Sequence, residues 1–328
     1  MAHGLVTSWQ GLAAVRGALG FAEGTSHTGG LKVVSEWFPA KERGLAGGIY
    51  NMGASAGAAL APLLVFWASS VWNWRGAFVV AGLIALGWVV LWLAFYRPVE
   101  SHPGISDEER AYILAGQESH VRASGAGPSV LSILRRRNFW GIALPRMLAD
   151  PTWGTLTFWL PLYLTSRGFS LGATALSTFL PFLAGEFGCL FGPSVVLFLQ
   201  KRGIGLIDAR RWTFTLGALM MTGMIFVGTV ESAVAAVVLL GIGGFAHQTL
   251  SVTCITMASD LFRKDELGTV AGMAGTLANL GVMAFSTAMG LLVATIGYDP
   301  FFVALGLMDL LAALILWTVV RAPKELAA

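Results

Sequence analysis

The sequence predicts an all-α fold, a polytopic membrane bundle of about nine transmembrane helices, and three observations lead to that prediction. Apolar residues make up 55% of the 328-residue chain and charged residues only 12%, whereas soluble domains carry about 25% charged residues. Mean hydropathy is +0.71. Long apolar segments recur, and the lysines and arginines collect in alternate loops between them. The chain contains too few charged residues to form a water-soluble surface, so we expect the lipid bilayer to surround the protein.

The predicted helices follow from the length of the apolar segments. A helix needs about 20 mostly apolar residues to cross a hydrocarbon core roughly 30 Å thick. Segments of that length occur nine times in the sequence. We place the spans at residues 9–33, 45–69, 76–96, 139–164, 173–200, 212–230, 233–259, 268–296 and 300–320.

The loops between these spans predict the orientation of the chain. One alternating set of loops contains sixteen of the 21 lysines and arginines, whereas the opposite set contains only Arg75 and Arg167. Cytoplasmic loops carry the excess of basic residues. We therefore expect a multi-pass protein of the inner (plasma) membrane with a cytoplasmic C-terminus and an external N-terminus.

One long polar segment divides the spans into three and six. We predict a partial N-terminal bundle at residues 1–96, a central cytoplasmic loop at 97–138 and a six-helix bundle at 139–328. The loop contains an acidic run at 107–109 and a Ser/Gly/Pro-rich stretch at 124–128. A solvated linker explains this composition, and a docking site for a partner is the alternative.

An internal repeat relates the first three spans to the last three. At an offset of 224 residues, 19–23 align with 243–247 and 35–38 with 259–262, without a gap. Duplicated bundles are common in transporters. The repeat predicts a unit of six spans, and hence a twelve-helix architecture of which this chain lacks the first three helices.

Several motifs resemble those of a known transporter family. The stretches RGALGFAE at residues 16–23 and SEWFPAKERG at 35–44 resemble the fourth helix and following loop of the anion:cation symporter branch of the major facilitator superfamily. In the second half, DPTW at 150–153, FWLPLYL at 158–164 and RGFSL at 167–171 are similar to hexuronate transporters.

The resemblance implies a major facilitator fold and proton-coupled symport of a small organic anion by alternating access. The implied substrate is a sugar acid such as a hexuronate. Glu23 falls on the acidic position that such symporters use for proton coupling. The expected partners are the anion, protons and the lipid bilayer, with no nucleic acid and no cofactor.

The residues of the first span support a proton site independently. Arg16 and Glu23 are seven residues apart, so they share a helical face about 10 Å apart along the axis. A carboxylate in a cavity gains or loses a proton according to its surroundings. Arg16 would stabilise the ionised form or attract the anion, and a structural ion pair is the alternative.

Polar residues within later spans are candidates for the substrate site. Arg146, Asp150 and Trp153 lie on one face of the fourth span, beside two prolines that predict a kink. Arg146 and Asp150 either contact substrate or neutralise each other. The remaining candidates suit sugar hydroxyls, or alternatively hydrogen bonds between helices; they are Asn51, His247, Gln248 and Asn279. Glycine pairs such as 188/192 and 268/272 predict close helix packing.

An embedded enzyme is the main competing class. Residues 53–57 match G-x-S-x-G, but they lie in an apolar helical run, whereas hydrolases need a strand-to-helix turn. The sequence contains no H-E-x-x-H or phosphate-binding G-x-x-x-x-G-K-[ST] motif. We therefore expect a transporter and no enzyme. A non-transporting remnant or sensor of the same fold remains the second alternative.

Overall fold

The computed structural model describes residues 1–23, 30, 33–34, 36–39, 43–115, 129–262 and 266–322. Within these ranges all regular secondary structure is helical. Short 3-10 helices occur at Ala2–Gly4, Val99–Ser101 and Thr222–Phe226, and a π-helical turn at Thr155–Trp159. The α-helices are α1 (Trp9–Glu23), α2 (Arg43–Val71), α3 (Trp74–Phe95), α4 (Asp107–Ala115), α5 (Val130–Leu134), α6 (Arg137–Gly154), α7 (Leu160–Ser166), α8 (Leu171–Lys201), α9 (Leu206–Met221), α10 (Ala233–Leu261), α11 (Leu267–Ile296) and α12 (Asp299–Val319).

These helices confirm the predicted all-α membrane fold. Five described helices are long and apolar enough to cross a membrane: α3, α8, Val234–Leu261 of α10, α11 and α12. The fourth predicted span forms α6, the π-helical turn and α7, and the sixth forms α9 and a 3-10 turn. Most of the first span beyond Glu23 lies outside the described residues.

The chain divides into two compact units, Met1–Ser124 and Gly125–Ala328. In the first unit, α2 packs against α3, and the Ala2–Gly4 turn packs against α3 and α1. In the second unit, α6 packs against α10, α11 and α12, while α10 also packs against α8 and α9. The predicted division into residues 1–96, 97–138 and 139–328 stays a prediction.

Pro145 and Pro151 both lie within α6, the helix that packs against α10, α11 and α12 in the second unit. Pro151 has no N–H with which to bond the carbonyl of Met147 one turn earlier. The glycine of α11 at position 281 packs on this carbonyl, where a Cβ atom would lie only 2.1 Å from the oxygen. The absence of a side chain at Gly281 therefore lets α11 approach α6 closely at the proline-interrupted turn.

The predicted glycine contacts are found in one pair and not in another. A Cβ atom at Gly188 would lie 2.2 Å from the Phe245 carbonyl oxygen, and one at Gly192 would lie 3.1 Å from the Val252 side chain, also on α10. No atom of the described residues lies within 4 Å of such an atom at Gly268 or Gly272. The prediction of close packing is therefore confirmed for α8 on α10, whereas the pair in α11 makes no such contact with the part of the chain that the structure describes.

Arginine side chains join several helix ends at one end of the second unit. Arg137, at the start of α6, donates a 2.6 Å hydrogen bond to the Thr318 carbonyl near the end of α12. Arg211 of α9 donates one of 2.7 Å to the Val320 carbonyl. Arg136 forms a 2.7 Å ion pair with Glu266, just before α11.

Arg167 lies at the other end of this unit, in the loop after α7. Its guanidinium donates a 2.6 Å hydrogen bond to the carbonyl of Val230, in the loop before α10. Two loops that the sequence assigns to the same membrane face therefore meet in the structure. Which end faces the cytoplasm stays a prediction.

Candidate transport site

Arg16 and Glu23 line a cavity of about 710 Å³ within the first unit. Both residues belong to α1 and both are exposed. Trp74 and Phe78 of α3 form another part of the wall. The structure thus places the predicted coupling acid, Glu23, and Arg16 at the same cavity.

His3 lines the same cavity, and the sequence reasoning did not select it. Its ring stacks on Phe78 with centroids 5.1 Å apart and an interplanar angle of 14°. The buried Nε2 atom has no hydrogen-bond partner among the described residues. His3 lies outside every predicted span, so the sequence does not indicate that it lines a cavity. Only the packing of the Ala2–Gly4 turn on α3 brings it there.

Arg146 and Asp150 form an ion pair on α6. Their Nη2 and Oδ2 atoms are 3.2 Å apart, and each side chain is 17% exposed. The i, i+4 spacing on one helix face explains this contact. The ion pair is therefore present in the structure, while contact of Arg146 with substrate stays a prediction.

Trp153, one turn further along α6, stacks on His247 of α10. The ring centroids are 5.6 Å apart with an interplanar angle of 22°. Phe182 of α8 meets the indole edge-on, with centroids 4.9 Å apart. Because His247 is only 2% exposed, the indole is the more accessible of the two stacked rings. His247 is close enough to Arg146 and Asp150 to interact with both charges.

The other candidates occupy different positions around this cluster. Gln248 is half-buried, and its Cγ atom lies next to Gly185 of α8. Asn279 is exposed on α11, and its Nδ2 atom donates a 2.9 Å hydrogen bond to the Gly275 carbonyl. The side chain of Asn51 lies outside the described residues, so its role stays a prediction.

The family model described as "Major Facilitator Superfamily" matches residues 1–255 and 205–328. The chain belongs to the Major Facilitator Superfamily. Membership confirms the predicted fold class, and it confirms a transporter in place of an enzyme.

Individual relatives of this facilitator are named for sugar acids. The chain is 44% identical over 323 residues to the "Hexuronate transporter" of Escherichia coli (strain K12), covering 98% of this chain and 75% of the relative. It is also 44% identical over 236 residues to the "Galacturonate transporter" of Dickeya chrysanthemi, covering 71% and 68% of the two chains. The resemblance to hexuronate transporters is therefore confirmed.

A solved structure has the same fold as this facilitator. It is a bacterial homolog of the human lysosomal transporter Spinster in an inward-facing, unoccupied conformation. The TM-score is 0.65 at 18% sequence identity, over 97% of this chain and 77% of that one. At this identity the likeness establishes the fold alone.

One ionisable residue of this facilitator escaped the sequence analysis. Asp309 of α12 is 0% exposed, and neither carboxylate oxygen has a hydrogen-bond partner in the described part of the chain. Asp150 is close enough to act on it electrostatically. The sequence could have indicated Asp309, because it is the one carboxylate in the predicted span 300–320. An ionisable group within a membrane span is a functional candidate by default.

Proposed function

We propose that this facilitator is a secondary active transporter that carries a small sugar-acid anion, a hexuronate, together with protons by alternating access. The observation that supports this most strongly is the 44% identity over 98% of the chain to a protein named a hexuronate transporter. The similar identity to a protein named a galacturonate transporter points to the same substrate class.

The cluster on α6 has the chemistry that such a substrate needs. A hexuronate carries one carboxylate, and the Arg146 guanidinium can form a bidentate pair with a carboxylate. The substrate would compete with Asp150 for this cation. Trp153 offers an indole beside the ion pair for contact with the apolar face of a sugar ring. Gln248 and Asn279 offer amide groups to its hydroxyls, while His247 acts by holding the Trp153 ring.

Glu23 supplies the proton-coupling carboxyl in this proposal. It lines the cavity of the first unit together with Arg16, so its proton can exchange with water and its charge can be balanced by a cation. When Glu23 is ionised, its carboxylate would pair with the Arg16 guanidinium. Protonation of Glu23 would release the guanidinium to attract the anion.

Binding to the purified chain tests the substrate class. Glucuronate and galacturonate should bind at least about 30-fold more tightly than glucose, because a lost interfacial charge pair costs roughly 2 kcal/mol or more. Isothermal titration at one pH measures all three affinities. Equal affinity for glucose would overturn the anion assignment. Binding without any uptake into proteoliposomes would favour the non-transporting alternative.

The proposed membrane orientation has its own test. Arg202, after α8, and Glu231, before α10, are both exposed and lie in loops assigned to opposite membrane faces. In a variant with Cys189 and Cys254 replaced by alanine, a cysteine at position 231 should react with an impermeant maleimide in intact cells. A cysteine at position 202 should react only after permeabilisation. The reverse pattern would invert the topology and place the C-terminus outside.

A further inference from the structure

Arginine side chains gather at the end of the second unit where α6 and α9 begin and α12 ends. The cluster consists of Arg135, Arg136, Arg137, Arg210, Arg211 and Arg321. Two of them reach the end of α12 through hydrogen bonds to main-chain oxygens. Arg137 donates to the Thr318 carbonyl over 2.6 Å, and Arg211 donates to the Val320 carbonyl over 2.7 Å. The first turns of α6 and α9 therefore meet at the end of α12.

The main chain of Arg321 is fixed beside the start of α6. Its N–H donates a 2.8 Å hydrogen bond to Asn138 Oδ1, and its carbonyl accepts one of 2.9 Å from Asn138 Nδ2. Position 141 of α6 is a glycine, and a Cβ atom there would lie 2.6 Å from the Val320 side chain. The exposed side chain of Arg321 therefore begins beside Asn138, the residue that follows Arg137.

Carboxylates neutralise only half of this cluster. Three arginines have an ion-pair partner: Arg136 with Glu266, Arg210 with Asp260 and Arg211 with Asp208. The other three, Arg135, Arg137 and Arg321, are exposed and pair with no carboxylate in the described ranges. The first turn of α6 contains no acidic residue. The place where these helix ends meet thus presents three uncompensated positive charges.

Exposed apolar side chains lie beside these charges. α5 ends just before Arg135 and exposes Val130 and Leu131. The Trp140 Nε1 atom donates a 2.8 Å hydrogen bond to the Leu134 carbonyl, which holds an exposed indole against the end of α5. Tryptophan is enriched where membrane-spanning helices pass from hydrocarbon to water. These neighbours assign this side of the cluster to the membrane–water interface.

A second pair of indoles lies at the end of α12. Trp317, one turn before Arg321, meets the exposed Trp212 of α9 edge-on, with ring centroids 5.2 Å apart. The Arg211 guanidinium lies 5.2 Å from the centroid of the Trp317 ring. Charged and aromatic side chains are thus interleaved here. A partner of the three uncompensated arginines has to match an apolar surface as well as positive charge.

We propose that Arg135, Arg137 and Arg321 bind the headgroup phosphate of an anionic phospholipid, whose acyl chains lie against Trp140 and the exposed apolar side chains of α5. Guanidinium groups form bidentate hydrogen bonds with phosphate oxygens. A soluble anion would leave the apolar side chains uncovered, and a zwitterionic lipid would bring no net charge to the arginines. In the proposed orientation this surface faces the cytoplasmic leaflet, where anionic lipids attract basic residues.

The bound lipid bridges two helices of the second unit. One headgroup that contacts Arg137 and Arg321 joins the start of α6 to the end of α12, in addition to the hydrogen bonds of Asn138. Because the lipid binds the folded chain, it raises thermal stability as its concentration rises. The site involves no residue of the proposed transport site, so it is tested separately from the hexuronate assignment.

Native mass spectrometry of the purified chain in detergent measures the binding of individual lipids. Phosphatidylglycerol should bind at least about fivefold more tightly than phosphatidylcholine. Arg135→Gln combined with Arg321→Gln should weaken the binding of phosphatidylglycerol roughly 30-fold, because each basic residue near a membrane surface contributes about 1 kcal/mol. The control, Lys201→Gln combined with Arg202→Gln, removes two exposed charges from the loop after α8. It should change the affinity less than about twofold.

Three results would overturn the lipid site. Equal weakening by the two double variants would show that only net charge matters. Equal affinity for phosphatidylcholine would exclude recognition of an anionic headgroup. Displacement of phosphatidylglycerol by inorganic phosphate at constant ionic strength would indicate a site for soluble anions. If the first double variant does not fold, Arg135→Gln and Arg321→Gln alone should each lose about fivefold in affinity, and unchanged affinity in both would also refute the proposal.

Discussion

Replacing Arg146 by glutamine is expected to weaken glucuronate binding roughly 30-fold or more, because the variant loses the cation for the substrate carboxylate. Truncating one partner of a hydrogen-bonded charge pair commonly costs about 2–5 kcal/mol. The change also leaves Asp150 without its partner in a region where each side chain is only 17% exposed. Part of the loss would therefore come from a destabilised bundle.

A second variant separates the two effects of losing Arg146. In Arg146→Gln combined with Asp150→Asn, no uncompensated charge remains in the pair, so thermal stability should recover towards that of the wild type. Glucuronate binding should stay weak. Arg202→Gln is the matched control, because this exposed arginine stacks over Phe198 far from the pair along the sequence. Wild-type affinity in Arg146→Gln would mean that Arg146 only neutralises Asp150.

In a complete transporter that contains this sequence, replacing Glu23 by glutamine is expected to abolish proton-driven accumulation of glucuronate while exchange counterflow persists. Glutamine keeps the size and hydrogen-bonding capacity of the side chain but cannot carry the coupling proton. Uptake into proteoliposomes under an inward proton gradient and counterflow without a gradient provide the two rates. The ratio of these rates should fall by at least about tenfold, the equivalent of roughly 1.4 kcal/mol of coupling.

Glu100→Gln alters an exposed carboxylate in the Val99–Ser101 turn, outside the cavity of the first unit, and should leave both rates unchanged. If Glu23→Gln retains full accumulation with its normal dependence on pH, the coupling acid lies elsewhere. Asp309, the buried carboxyl of α12, would then be the next candidate.

The sequence alone predicted the membrane fold, the apolar segments that form the spans and the family. These properties depend on local quantities. The transfer free energy of each residue determines which segments enter the bilayer, and the matched motifs are contiguous in the chain. The Arg146–Asp150 pair could also be predicted from the sequence, because residues four apart on one helix are neighbours whatever the other helices do.

Only the tertiary structure decided which residues from different helices meet. The stacking of Trp153 on His247, the burial of Asp309 and the placement of His3 at the cavity of Arg16 and Glu23 depend on the rotation and close approach of whole helices. Packing of small residues such as Gly281 on Met147 permits that approach. Helical periodicity identifies the residues that share a face, but the neighbour of that face is determined by the packing of side chains from distant parts of the chain.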